Sequence, residues 1–299
     1  MKLATTTGDF FRYTHSQTEA MKHIYDAGFR YADYNFGCDS ANRTGVYSDG
    51  YKKHFKEVRE ASRDIGIKLV QAHAPMGKPF LDEGKQLIAD TLRCIEACAE
   101  WGIPNLVVHS GYAEGLTVKE NFERNKQFFT PLLKEAEKYD VNILVENFNK
   151  MHRENVYWID NASDLLGLIE YIDHPLFHAV WDAGHANLQE MPQNEELRLL
   201  GNHVRALHIQ DNMGLKDSHL APFFGTMNLD DVMRGLNDIG YNGYFTFEVG
   251  GVFTSSEKRR QYSSDTRLAA PYIELHDAFE QFLYTLGKTV LEKYNCFEE

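Results

Sequence analysis

The chain has no long apolar run. None of its segments approaches the roughly 18 consecutive apolar residues of a membrane-spanning helix. Its first residues, MKLATTTGDFFRYTHSQTE, contain neither an apolar h-region nor a small-residue cleavage site. A cytoplasmic protein with no membrane partner is therefore expected. Cysteine is scarce: Cys38, Cys94, Cys98 and Cys296 form no C-x-x-C pair. Cys94 and Cys98 sit four apart in a helical segment, a spacing that suits a zinc pair but more commonly marks a buried helix face. Cations are also in deficit. Lys and Arg number 31 against 44 Asp and Glu, a net charge of -13 that opposes a polyanion over most of the surface and disfavours nucleic acid as a partner. There is no linker, low-complexity tract or shift in composition, so one domain over residues 1–299 is the simplest account.

A repeating pattern is present. Short β-rich runs alternate with amphipathic stretches, as in βα units of a parallel sheet. The runs are residues 2–7, 31–36, 67–73, 105–109, 142–146, 177–182, 204–209 and 243–249. Helices are expected over 16–27, opened by the cap Ser16-x-x-Glu19, and over 51–65, 82–101, 117–139, 162–172, 194–200, 229–239 and 264–294. Pro131 should kink or split the fourth of these. Eight such pairs are the count of a (β/α)8 TIM barrel. An open doubly wound sheet is the alternative, but TTTGDFFRYT after the first strand holds one glycine and no phosphate fingerprint. The longest irregular stretches, 37–50, 147–161 and 211–228, follow strand C-termini, the face where barrels build their sites.

The strand ends carry the chemistry. Glu146, Asp182, His208 and Glu248 end the fifth to eighth strands, each about one βα unit after the last. Strand alternation places Leu144 with Glu146, Val204 and Ala206 with His208, and Thr246 with Glu248, leaving Phe245 and Phe247 to face the helices. Three carboxylates and an imidazole would then converge, and like charges that close call for a cation. One divalent metal ion is expected. The donor set favours Mn²⁺, Mg²⁺ or Co²⁺, with Zn²⁺ also compatible. His73, His109, His185 and the pair Asp217 and His219 lie on the same rim, while Trp158 belongs to a polar and aromatic loop suited to a lid or substrate clamp.

The set QAHAP, VVHSG, LVEN, WDAGH, HIQDN, D-x-H-L-x-P and FEV, in this order, resembles the xylose-isomerase-like TIM-barrel superfamily of sugar-phosphate isomerases and epimerases, which also contains endonuclease IV. The resemblance implies that Glu146, Asp182, His208 and Glu248 bind the metal. It also makes the two glutamates acid and base, with His185 at a substrate oxygen. The implied reaction is isomerisation or epimerisation of a sugar, sugar phosphate or inosose by proton transfer through a metal-bound cis-enediolate. A small-molecule sugar or polyol is the partner, contacted also by His73, His109, His219, Lys216 and Trp158, in a homo-oligomer.

Departures bear on the substrate. Tagatose/psicose-type 3-epimerases carry a Glu six residues after the strand-5 glutamate and an Arg six after the strand-7 histidine, where this chain has His152 and Gly214. A free-ketose 3-epimerase is thereby disfavoured. Phe223 replaces the first glycine of the family's P-G-x-G-x-I, which should alter that loop and could supply a ring to stack on a sugar or aglycone. A related lyase, dehydratase or C-glycoside-cleaving enzyme would use the same site. An endonuclease IV-like nuclease would hold three metals with His73, His109, Glu146, Asp182, His185, His208, Asp217, His219 and Glu248. A barrel that binds metal without catalysis is the remaining alternative.

Overall fold

The structure, a computed structural model, describes residues 1–11, 13–14, 16–40, 43–149, 159–189, 191–250 and 273–299. The β-rich runs form eight parallel strands: β1 (Lys2–Thr6), β2 (Tyr31–Asn35), β3 (Lys68–His73), β4 (Asn105–Val108), β5 (Asn142–Glu146), β6 (Phe177–Asp182), β7 (Val204–His208) and β8 (Tyr244–Phe247). They neighbour one another in the order β7-β6-β5-β4-β3-β2-β1-β8. The ring closes just beyond β7. There the Ile209 N–H donates to the Thr246 carbonyl (2.8 Å) and the Glu248 N–H to the Ile209 carbonyl (3.1 Å). With helices between the strands, this is a (β/α)8 TIM barrel.

Local chemistry starts and stops the helices. Ser16 Oγ accepts the Glu19 N–H (3.2 Å) at the start of helix Gln17–Asp26. Helix Tyr51–Ile65 ends at Gly66, whose φ of 86° is the left-handed conformation that glycine adopts without a Cβ clash. Pro131 does not split its helix. Val118–Ala136 runs unbroken. The ring costs one intrahelical hydrogen bond, and Phe128, Phe129, Leu132 and Leu133, buried on either side of it, hold the segment against the barrel. Residues 37–50 are less irregular than expected, because Phe36–Ser40 and Gly45–Tyr47 are short helical turns. The C-terminal helix is Ile273–Lys293; the expected start over 264–272 lies outside the described residues. Cys94 and Cys98 are wholly buried on the inner face of helix Gly84–Trp101, the packing role that their spacing suggested.

Two apolar groupings follow from strand alternation. Val107, Leu144, Val180 and Ala206 form a layer of their own, while Phe245 and Phe247 join the larger cluster with the helices. Val204 also packs in the larger cluster and not with Ala206. The reason is a register slip between β6 and β7, where Ala179 pairs with Val204 but Val180 pairs with Ala206. One residue of slip reverses the side on which a side chain emerges. Among the described residues no helix is long and apolar enough to cross a membrane.

Candidate active site at the barrel mouth

Glu146 and Asp182 end β5 and β6, His208 ends β7, and Glu248 follows β8. One ligand atom from each of these four lies within 4.8 Å of the others. Glu146, 2% exposed, is the hub. Its Oε2 accepts from His109 Nε2 (2.6 Å), and its Oε1 accepts from His208 Nδ1 (2.8 Å). His73 Nε2 is 3.5 Å from Oε2, and Glu248 Oε2 is 3.7 Å from His208 Nδ1. Two further sets, His73 with His109 and Glu146, and His185 with Asp217 and His219, are equally compact. All nine rim residues named from the sequence are thus brought together.

Asp182 Oδ1 accepts the His185 N–H (2.7 Å) and caps a short helix, Ala183–Asn187. A Cβ on Gly184 would come within 2.1 Å of Gln210, so this helix can lie against β7 only with glycine there. The cap orients His185. Its Nδ1 donates to the Asn147 carbonyl (3.0 Å), and its Nε2 meets Asp217 Oδ2 (3.0 Å). His219 has a φ of 46°, a strained conformation for a non-glycine residue, with Nδ1 3.0 Å from the Glu248 carbonyl.

Electrostatics follow from burial and neighbours. Burial opposes ionisation of Glu146, yet the charge of His208 and the hydrogen bonds from His109, His208 and His73 hold it well below the usual carboxylate range. Glu248 is lowered too, because His208 and His219 outweigh its burial. Burial, reinforced by Glu146 and Glu248 and relieved by His185, pushes Asp182 up to about 7. Burial disfavours a charged His185, but Asp182 and Asp217 overcome it and push the imidazole up to about 10.

The residues fit a divalent ion. Asp182 is fully buried, and its Oδ2 has no hydrogen-bond partner among the described residues, an arrangement that a cation relieves. The donor set, three carboxylates and an imidazole, suits a hard or borderline ion. Some supporting residues were not singled out from the sequence. Gln71 Nε2 bonds Asp33 Oδ2 (2.7 Å) and lies 2.9 Å from His208 Nε2. Gln71 shares its strand face with His73 two residues on, so alternation on β3 could have found it. Asn147 clamps β5 to β6 by exchanging hydrogen bonds with the Asp182 backbone (2.7 and 2.9 Å). Asp9, after β1, accepts the Val249 N–H (2.8 Å) next to Glu248, a contact across 240 residues that no local pattern announces.

A cavity of about 430 Å³ opens over this cluster, lined by Glu248, Asp217 and His219 among others. Lys216 is exposed and not part of that wall. Trp158 lies outside the described residues. Phe223 has a φ of 73°, a left-handed conformation that favours glycine. The side chain is 64% exposed and lines neither this cavity nor its neighbour, which leaves the stacking expectation without support.

The family described as xylose isomerase-like TIM barrel matches residues 21–266. The chain belongs to this family. An uncharacterised relative from Methanocaldococcus jannaschii is 29% identical over 206 residues, 66% of this chain and 69% of that protein. Fructoselysine 3-epimerase of Escherichia coli O157:H7 is 30% identical over 141 residues, 47% of this chain and 50% of that protein, so the match spans half of the enzyme. A crystal structure of a D-tagatose 3-epimerase-like protein superposes with a TM-score of 0.70 at 22% identity, covering 97% of this chain and all of that one. Within the xylose isomerase-like TIM barrels, sugar epimerases are therefore recurrent relatives of this chain.

Proposed function

We propose that the protein is a divalent-metal-dependent isomerase or epimerase of a sugar. The observation that carries the reading is the convergence of Glu146 and Glu248 with Asp182 and His208 at the mouth of the barrel, beneath a cavity of small-molecule size. Glu146, Asp182, His208 and Glu248 would hold the ion; once bound, it polarises a substrate carbonyl and makes the neighbouring C–H more acidic. Glu248 has the reach to move that proton, because its side chain is 17% exposed and lines the cavity. Glu146 is sealed below it, held ionised by His109 and His208. The family resemblance makes it the second proton-transfer group. His185, held by the Asn147 carbonyl at Nδ1 and by Asp217 at Nε2, would meet a substrate oxygen only by exchanging its contact with Asp217. Return of the proton to the same carbon gives epimerisation, and return to its neighbour gives isomerisation.

The relatives support this reading. The E. coli protein acts on fructoselysine, and the D-tagatose 3-epimerase-like structure shares the fold. Solvent-deuterium exchange followed by NMR over ketoses, aldoses, inososes and their phosphates is the test. Exchange at a carbon next to a carbonyl is expected for at least one of them, and a lack of exchange across the panel refutes the proton-transfer reading.

A second reading rests on the three compact His/carboxylate sets, which suit a three-metal nuclease. Elemental analysis separates the two. About one divalent ion per chain is expected for the sugar enzyme, and three would favour the nuclease.

A further inference from the structure

Asn35 ends β2, on a part of the rim that supplies none of the candidate metal ligands, yet it lines the same cavity as Glu248. Three contacts fix it. Its N–H donates to Thr7 Oγ1 (3.0 Å), its carbonyl accepts from Gln17 Nε2 (2.8 Å), and its side-chain Oδ1 accepts the Gly37 N–H (2.9 Å). Gln17 stands in the wall of a second cavity, of about 360 Å³, which adjoins the first at Phe11 and Cys38. The Gly37 contact sets which way the amide points. A backbone N–H can only donate, so the atom it meets is the amide oxygen, and Nδ2 takes the other branch. That Nδ2 makes no hydrogen bond among the described residues.

Gly8 keeps this donor uncovered. It lines the cavity, and its N–H is tied to Thr6 Oγ1 (3.1 Å). A Cβ on Gly8 would lie 2.8 Å from Asn35 Nδ2 and 3.2 Å from Asn35 Cβ, so a side chain at this position would cover or displace the amide. Asp9 repeats the arrangement with the opposite polarity. Its Oδ2 accepts the Val249 N–H (2.8 Å), its Oδ1 makes no hydrogen bond among the described residues, and a Cβ on Gly250 would lie 2.7 Å from that Oδ1. One cavity therefore presents a donor and an acceptor, each beside a glycine. A hydroxyl both accepts and donates, and so answers to the two together. A donor already held in place also loses little freedom when a ligand arrives. We infer that Asn35 is a substrate-recognition residue whose Nδ2 donates to a sugar hydroxyl on a carbon away from the metal-binding end. This rests on the isomerase or epimerase reading for the reacting end.

The test uses the purified, metal-loaded protein with D-fructose, D-tagatose and L-sorbose, and then the 4-deoxy, 5-deoxy and 6-deoxy analogues of whichever binds most tightly. Solvent-deuterium exchange gives kcat and KM, and calorimetry gives affinity. Asn35→Asp keeps the shape and the oxygen that the Gly37 N–H needs but has no donor on the other branch. Gly8→Ala sets a methyl group against Nδ2 from the opposite side of the contact. Each should weaken binding about fivefold to tenfold, the scale of one hydrogen bond, and raise KM while changing kcat by less than about twofold. One analogue should show the same loss in the wild type and no further loss in either variant, a coupling that a merely structural role does not produce. Unchanged affinity in both variants, or variants that weaken every analogue as much as the parent sugar, overturns the inference. Tm identifies a variant that fails to fold, and the other then carries the test. If no probe exchanges deuterium, the proton-transfer reading fails by itself. The role of Asn35 is then judged on affinity: the same coupling to one hydroxyl upholds it, and its absence, or no binding of any of the three sugars, overturns it.

Discussion

Glu146 and Glu280 are both buried, at 2% and 0% exposure, and both lie beside a histidine, yet they are in opposite charge states. Glu146 faces the barrel mouth, where His109 and His208 donate to it and His73 and His185 stand within 3.6 Å. It is ionised. Glu280 faces the outside of the barrel from the C-terminal helix. His276 Nε2 is 3.6 Å away, beyond hydrogen-bond range, and neither carboxyl oxygen has a hydrogen-bond partner among the described residues. Burial, with Asp9 adding to it, raises Glu280 well above the carboxylate range, while burial and then the charge of His23 push His276 down to about 4. The comparison shows that burial does not make a carboxylate reactive. Compensation by several donors and an adjoining cavity distinguish the candidate site from a neutral pair in the shell.

The sharpest way to break the comparison is substitution at the mouth. Glu146→Gln and Glu248→Gln should each lower deuterium-exchange turnover by about 10³-fold, within the range of general acid–base groups, with little change in Tm. A variant retaining a tenth of wild-type turnover would remove that residue from the proton-transfer role. Next in size is His185→Asn, expected to cost roughly 10–100-fold in kcat/KM, as for groups that orient a metal site. Its metal content should stay at one ion per chain. Loss of an ion with the imidazole would make His185 a ligand and favour the three-metal reading.

Glu280→Gln tests the other half, and its effect is on stability. A carboxyl raised in the folded state contributes stability that is fully present below its unfolded value, near 4.5, and is lost as pH rises through the folded value. The glutamine variant cannot ionise. It should therefore be more stable than the parent by about 1–3 kcal/mol at pH 8, with the gap closing toward pH 4.5 and turnover unchanged at every pH. Denaturant melts across that window check it, and a gap that widens on acidification would reverse the charge assignment. The smallest effect expected is at Phe223. Glycine relieves the left-handed strain at φ 73° at the cost of chain entropy, so Phe223→Gly should stabilise by about 0.5–1 kcal/mol. No loss of kcat/KM is expected, since the ring lines neither cavity.

Much of the barrel was legible in the sequence because βα alternation is a local signal. Each strand run needs only its own residues to announce itself, and all eight appear within two residues of the expected ends. Period-two alternation carried Glu146, Asp182, His208 and Glu248 to one rim for the same reason. It failed at Val204, where a register slip between two strands intervened. Pro131 leaves its helix unsplit for a related reason, since the packing that keeps it whole comes from other parts of the chain.

The sequence by itself determined the fold class and the rim of nine acidic and imidazole groups, because periodicity and strand-end position are properties of short segments. Tertiary structure alone decided which glutamate is ionised, which one faces the cavity, how Asp182 caps the helix that aims His185, and that a second cavity adjoins the first. Those properties depend on desolvation and on charges that approach through space. The contact between Asp9 and Val249 spans nearly the whole chain, and no window of sequence contains both partners.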